Sequence, residues 1–449
     1  MKTSLILMTI FLAGCLGPPY QAPPVAAPQH WQESAPGVRA EGAPSAQWWS
    51  TLGDSTLNEL IRDAVSDNLD IRAAGARVRE ARALRGITAS RGKPQLDGFA
   101  VASPGHPQDL YDAGFDASWE VDLFGGIRRD IEAAVAQVQA TDEARRDVEI
   151  TLMAEVALNY VELRGAQRRL DVLDARIDTL QQTLEMVRAR QQAGLTNDLD
   201  VARSEALLED TKAARPSLEY ASAAAIHRLA VLTGRQPGAL ANRLTAHAPI
   251  PVAPAELAIG FPNELIARRP DVRRAERELA AATARIDVAR ADLYPRIALL
   301  GALGHRSDDA SDLANSVSRY WSFGPALRWP LLMGGRVRAQ VDAQRARRDQ
   351  AEAAFQQSAL RALEEVENSI SSYGRDQHER ERLTAAVAAE SRAVDLADAR
   401  YRAGLDSFLA VLDAQRTLRD GEDRLAAAET RVALSAISLY KSLGGGSSR

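Results

Sequence analysis

A chain of 449 residues with one cysteine, 46% hydrophobic residues and a formal charge of -5 excludes several classes at once. One thiol supports neither a disulfide framework nor a thiolate metal cluster, and 55 basic residues dispersed among 60 acidic ones form no basic block of the kind that binds nucleic acid. Past the first 15 residues no apolar run reaches the roughly 18 residues of a spanning helix, so any crossing of a membrane falls to β-strands.

At the amino terminus Lys2 precedes the apolar run from Leu5 to Leu12, and Leu12-Ala13-Gly14 leads into Cys15. The run is too short to span a bilayer, and small residues before a cysteine suit cleavage and acylation. Residues 1–14 are therefore expected to be a signal peptide and Cys15 the lipidated mature terminus. Leu16 follows, and the absence of aspartate there resembles lipoproteins sent to the outer membrane. Residues 15–47, rich in Pro, Ala and Gln, read as an extended, lipid-anchored tether, with the folded part starting near Trp48.

Two halves of the remaining chain match. Asn68-Leu69-Asp70-Ile71-Arg72 aligns with Arg269-Pro270-Asp271-Val272-Arg273, and Lys93-Pro94-Gln95-Leu96 with Tyr294-Pro295-Arg296-Ile297, both at an offset of 201 (271 less 70). Gly125-Gly126 aligns with Gly334-Gly335 at 209, and Ala193-Gly194-Leu195 with Ala403-Gly404-Leu405 at 210. The first repeat is placed at 48–235, a Pro-rich crossover at 236–262 and the second repeat at 263–446.

Each repeat reads helix, β-hairpin, very long helix, tight turn, helix. The hairpins, at about 95–124 and 296–332, show the period-2 alternation of a strand with one apolar face. Ala113, Phe115, Ala117, Trp119, Val121 and Leu123 alternate with Asp112, Gly114, Asp116, Ser118, Glu120 and Asp122. In the second hairpin Trp321, Phe323, Pro325, Leu327, Trp329 and Leu331 alternate with Ser322, Gly324, Ala326 and Arg328, opposite Ile297, Leu299 and Leu303. The long helices are expected from Arg128 to Gln192 and from Val337 to Arg402, each about 100 Å at 1.5 Å per residue. Leu173, Ile177, Leu180, Leu184 and Val187 step at coiled-coil spacing, as do Val272, Leu279, Ile286 and Leu293. Gly194 and Gly404 stand where a helix takes its left-handed stop, with Thr196 or Asn197 and Asp406 or Ser407 placed to cap the returning helix.

Four strands cannot close on themselves, and a bilayer tolerates no unpaired strand edge, so the hairpins require an oligomer. Three or four copies, giving twelve or sixteen strands, leave an open lumen. The alternation then turns the aromatic and aliphatic set to lipid and Asp112, Asp116, Glu120 and Asp122 to water. The same carboxylates also suit the solvent face of an ordinary sheet. Six histidines are scattered without metal-ligand spacing, and no phosphate loop, nucleophile elbow or HExxH motif is present, so neither an enzyme nor a metal or other cofactor is expected.

The chain resembles the TolC-like outer-membrane factors, and within them the lipoprotein branch serving resistance-nodulation-division multidrug efflux systems. The resemblance runs from Cys15 to Gly446. It is carried by Trp48-Trp49 with Leu52-Gly53-Asp54, Trp119-Glu120-Val121-Asp122-Leu123-Phe124-Gly125, Arg269-Pro270-Asp271-Val272, Leu293-Tyr294-Pro295, Tyr401-Arg402-Ala403-Gly404-Leu405, Leu412-Asp413-Ala414-Gln415-Arg416, and Leu439-Tyr440-Lys441-Ser442-Leu443-Gly444-Gly445-Gly446.

What the resemblance implies is a homotrimer in the outer membrane: a twelve-stranded β-barrel on a twelve-helix periplasmic α-barrel. It implies passive conduction of drugs or other small molecules handed on by a periplasmic adaptor and an inner-membrane transporter. The family's gate residues fall on Tyr401, Arg402, Asp406 and Asp413, with Asp198 and Asp200 as first-repeat counterparts, and its adaptor-contact tips on Gly194, Leu195, Gly404 and Leu405. Read without the family, Asp406 is equally a helix cap, Asp413 a solvated side chain, and the tips plain helical turns. Some relatives carry a second aspartate one turn before Asp413; here Ala410 stands there, so a gate built on a single ring of charge is weaker or differently made. The same kind of duct serves type I protein secretion or metal export, and a non-conducting lipid-anchored coiled-coil spacer is the remaining alternative.

Overall fold

A computed structural model of the chain describes residues 20–42, 44–105 and 108–445, so the expected signal peptide and Cys15 lie outside the described residues. In the first half α1 (Ser55–Asp67) and α2 (Leu69–Ser90) lead into strands β1 (Gln95–Ser103) and β2 (Leu110–Val121), the long helix α3 (Gly126–Gln192), and the returning helices α4 (Asp198–Lys212) and α5 (Arg215–Leu232). The second half repeats the order with α6 (Pro262–Arg268), α7 (Pro270–Ala291), β3 (Arg296–Ser307), β4 (Arg319–Arg328), α8 (Arg336–Arg402) and α9 (Phe408–Ser442). Helices α3 and α8 are 67 residues each, within two residues of the expected bounds.

The repeats solve the same turn with different chemistry. Between α1 and α2 the buried Asn68 side chain accepts from the N–H groups of Asp70 and Ile71 and donates to the Leu232 carbonyl at 2.9 Å. Between α6 and α7 the break falls before Pro270, whose ring disfavours helical geometry in the residue ahead of it. The returning helix differs: it is one element of 35 residues in the second half but is interrupted at Ala213–Ala214 in the first. Pro216 sits in the first turn of α5, where its missing N–H is tolerated; the repeat-equivalent position is Ala426, which lets α9 run on.

The chain forms two compact units, each drawing on both halves. One contains Ala74–Arg145 and Pro270–Ala359, and its centre is an antiparallel sheet in the order β1-β2-β3-β4. The pairing of β2 with β3, from Tyr111 opposite Ser307 to Val121 opposite Ile297, joins the two hairpins. Below the sheet Phe124 stacks on Tyr294 at 4.8 Å, and the helices approach through small residues, Ala136 against Ala280 and Ala281.

The other unit contains Ala27–Ala73, Arg146–Arg269 and Leu360–Arg449. Its core is aromatic and aliphatic. Trp48 stacks on Tyr440 at 5.2 Å, and Leu57, Leu60, Ile61, Tyr160, Leu163, Leu229 and Ile437 are almost wholly buried. Asp54 caps α1 through the Leu57 N–H and accepts from the Tyr160 hydroxyl at 2.8 Å, tying the helix start to α3. Residues 30–39 lie against this unit: Trp31 Nε1 donates to the Gly260 carbonyl, the N–H groups of Gln32 and Glu33 both donate to the Glu367 carboxylate, and Val38–Arg39 pairs in parallel with Leu257–Ala258.

Candidate functional site

Two regions bear on function, the sheet and the turns at the far ends of α3 and α8. Register sets the sheet's faces. Phe115 stands opposite Leu303, which stands opposite Trp321; Trp119 stands opposite Leu299, and Ile297 opposite Leu327. This row, with Leu96 and Phe323, is apolar and open to its surroundings, Trp321 being 75% and Phe323 74% exposed. So large an uncovered apolar band is costly in water and is the surface a membrane strand presents to lipid. The strands have 9, 12, 12 and 10 residues, enough to cross a hydrocarbon layer when tilted. The outer edges of β1 and β4 pair with no strand among the described residues.

The opposite face is polar, but it is mixed in sign. Asp116 and Glu120 lie on it as the alternation requires, in a register that also brings in Arg296, Arg306 and Arg328. Asp112 is on this face yet buried: Arg306 donates to it through Nε at 3.0 Å and Nη2 at 2.6 Å, and the Tyr320 hydroxyl donates at 3.2 Å. Asp122 lies beyond the end of β2, where its carboxylate accepts from the N–H groups of Ile127 and Arg128 and so caps α3. Of the four carboxylates expected to face water, Asp116 and Glu120 thus stand on the polar face of the strand, while Asp112 is buried in an ion pair and Asp122 caps a helix beyond the strand end. Arg306 and Tyr320 lie on other strands, 194 and 208 residues from Asp112, and leave no signal in the acidic strand itself. Trp329 and Leu331, expected to extend the apolar row, fall after the end of β4. Trp329 Nε1 instead donates to the Leu293 carbonyl, as Trp119 Nε1 does to that of Gly92.

At the helical turns both repeats use one device. Gly194 has φ 73° and Gly404 φ 69°; the N–H of Leu195 donates to the Arg190 carbonyl and that of Leu405 to the Arg400 carbonyl, each at 2.9 Å. These are Schellman stops, in which glycine reaches a left-handed conformation without a Cβ penalty. They leave Leu195 66% and Leu405 69% exposed, two apolar side chains held out at the turn. Asn197 caps α4 through the Asp200 N–H, and Asp200 accepts from the Thr196 hydroxyl. Asp198 accepts from Gln191 at 2.9 Å. Ser407 occupies the cap position of α9 without a side-chain bond.

Within one chain the expected gate residues do not form a single network. Tyr401 is buried with Val187, Phe408, Val411 and Leu412; Arg190 lies over its ring at 4.6 Å, and its hydroxyl has no partner among the described residues. Arg402 pairs with Asp398 at 2.8 Å. Asp406 accepts from the Ser407 N–H at 3.0 Å and from Arg400 at 3.2 Å, which hold its carboxyl below the usual carboxylate range. Asp413 is exposed and makes no ion pair among the described residues.

Among the described residues no helix is long and apolar enough to cross a membrane, and no group of His, Cys, Asp and Glu is placed to hold a metal ion. The sequence profile described as outer membrane efflux protein matches residues 60–235 and 261–445. The pyoverdine export outer membrane protein OpmQ of Pseudomonas aeruginosa is 32% identical, over 99% of this chain and 96% of its own length. The toluene efflux pump outer membrane protein TtgI of Pseudomonas putida is 32% identical, over 97% of this chain and 96% of that protein. The solved structure of the outer-membrane channel OprN superposes with a TM-score of 0.90 at 36% identity, covering 96% of this chain and 99% of that one. These matches extend over the hairpins, the long helices and the turns alike, and the chain therefore belongs to the outer membrane efflux protein family, as an outer-membrane exit duct and not an enzyme.

Proposed function

We propose that three copies of this chain close a twelve-stranded barrel in the outer membrane, set on a twelve-helix barrel in the periplasm, and conduct small molecules passively. The observation that carries this reading is the sheet: four strands with an exposed apolar face, a polar face, and two edges that pair with no strand among the described residues. Only closure with other copies satisfies those edges in lipid. Cys15 is the lipid attachment point, left by removal of residues 1–14, and residues 48–235 and 263–446 are the two repeats.

The exposed Leu195 and Leu405 beside Gly194 and Gly404 are the contacts for a periplasmic adaptor, which links the duct to an inner-membrane transporter of the resistance-nodulation-division type. Asp198, Asp200, Tyr401, Arg402, Asp406 and Asp413 belong to the gate, where Asp413, exposed and without an ion pair among the described residues, crowds its symmetry mates near the axis. Similarity to exporters of pyoverdine and of toluene favours efflux duty with little selection by the duct itself.

Two measurements test the reading. Phe99 on β1 and Ser322 on β4 lie on the polar face at opposite edges, three strand spacings or at least about 14 Å apart within one chain, too far for a disulfide. When Phe99→Cys is combined in turn with cysteine at each polar-face position of β4, namely Tyr320, Ser322, Gly324 and Ala326, oxidation of one combination is expected to give a covalent trimer; a set that remains monomeric throughout refutes barrel closure. In planar bilayers Asp413→Ala is expected to raise the current through the resting trimer, and an unchanged current removes Asp413 from the gate.

A further inference from the structure

Helix α9 is fastened differently along its length. Toward its carboxyl end Ala436 and Ile437 are fully buried, and Thr430 lies so close to Gly165 of α3 that a methyl group there would overlap it. Arg169 grips Asp423 with bonds of 2.7 and 2.9 Å. At the other end Phe408, Val411 and Leu412 pack with Val187 and Tyr401. Between these lies a polar layer with incomplete bonding.

Arg176 of α3, 6% exposed, donates from Nη2 to the main-chain carbonyl of Gln415, an oxygen inside α9 and not at its end. The Arg176 Nε, Gln415 Oε1 and Glu390 Oε2 are buried without hydrogen-bond partners among the described residues. Glu422 stands seven residues after Gln415 (422 less 415), two turns along the same face, and faces the same guanidinium. A cavity of about 340 Å³ lined by Arg176, Glu422, Arg168, Glu429 and Val387 gives both side chains room. A neutral carbonyl is a weaker partner for a guanidinium than a carboxylate. The packing therefore offers one buried arginine two acceptors on one helix, which is what an element with two positions requires.

We propose that Arg176 is a positioning residue of the gate: here it holds the Gln415 carbonyl, and as the segment of α9 bearing Asp413 moves to open the duct, it exchanges that carbonyl for the Glu422 carboxylate. Arg168 from α3 and Glu390 from α8 face the same carboxylate, and Arg419 of α9 lies near Arg176, so the exchange takes place among charges already opposed. The inference rests on the gate reading given above and deepens it.

Its test uses purified full-length protein in planar bilayers, with trimer content measured for every variant. Arg176→Met is expected to raise the mean current about threefold, and Arg176→Lys, which keeps a donor, to return it toward wild type. Glu422→Gln removes the charge that makes the second acceptor the stronger one, and in an Asp413→Ala background it is expected to cut the raised current by about half. Arg176→Met matching wild type, or Glu422→Gln leaving the Asp413→Ala current intact, overturns the proposal. Should Arg176→Met fail to assemble, the Glu422→Gln arm decides by itself. No current from trimeric wild type and trimeric Asp413→Ala together would refute the duct reading, and this proposal with it.

Discussion

Placing one charge on either side of the same strand tests the sheet's orientation directly. Phe323 and Ser322 are neighbours on β4, yet Phe323 stands opposite Gly301 in the apolar row and Ser322 opposite Ala302 in the row of Asp116. An arginine on a lipid-facing strand position costs about 2–4 kcal/mol at mid-depth and about 0–1 near the interfaces. Phe323 is the fifth of the ten residues of β4, near the middle of the span, so the larger figure applies. At about 1.4 kcal/mol per tenfold, Phe323→Arg shifts the folding equilibrium of each chain roughly thirtyfold to a thousandfold, and a trimer bears the cost three times. Ser322→Arg puts its guanidinium in water beside other polar groups and costs little. The assay is the fraction of each variant recovered in the outer membrane as a detergent-resistant trimer, together with the temperature at which that trimer dissociates. Equal losses for both variants, or a greater loss for Ser322→Arg, would refute the assignment of faces and with it the membrane role of the sheet.

Two further predictions concern the helical unit. Trp48→Ala removes a side chain that is 1% exposed and stacked on Tyr440, and is expected to lower stability by about 3–5 kcal/mol, read as a loss of thermal resistance without change in the sheet's membrane insertion. Burial, reinforced by Glu390 and opposed by Arg176, raises the Glu422 carboxyl above its ordinary value of 4.5. A carboxyl raised by folding contributes stability that is full below its unfolded pKa and lost as pH rises through the folded one. Glu422→Gln, neutral throughout, is therefore expected to melt above wild type at neutral pH and to converge with it below about pH 4; a constant difference across that range would exclude this titration.

What the sequence reveals here follows from which interactions are periodic. The alternation around Phe115 and Asp116, the heptad steps through Leu180 and Leu184, and the paired Gly194 and Gly404 stops are local patterns, and the structure contains the strands, helices and turns they predict. Alternation does not mark where hydrogen bonding ends, which is why Trp329 and Leu331 read as strand although β4 stops at Arg328. Nor does it show what lies across the sheet. Asp112 looks like Asp116 along the chain, but 194 residues separate it from the Arg306 that neutralises it. The docking of residues 30–39 is hidden for the same reason, since the Glu367 carboxylate that receives the N–H groups of Gln32 and Glu33 is more than 330 positions away. Among the residues proposed for the gate the side chains are legible as types while their partners in the folded chain are not: Tyr401 is held by Arg190 and Phe408, and Arg402 by Asp398.

The two repeats differ most where they return from the turns, and that difference bears on movement. In the first, the break ahead of Pro216 divides the return into α4 and α5, so a displacement near Asn197 can be absorbed at Ala213–Ala214. In the second, Ala426 leaves the ladder of α9 whole, and a displacement at Ser407 is carried along a stiff rod until packing resists it. Packing holds α9 at two places: Phe408, Val411 and Leu412 are buried with Val187 and Tyr401 near its start, and farther along Arg169 grips Asp423 and Thr430 meets Gly165. The incompletely bonded layer at Arg176, Gln415 and Glu390 lies between these two holds. A rod bends at least cost where its lateral contacts are weakest, so a displacement imposed at Ser407 is expected to bend α9 at this layer, whereas one imposed at Asn197 is taken up at Ala213–Ala214.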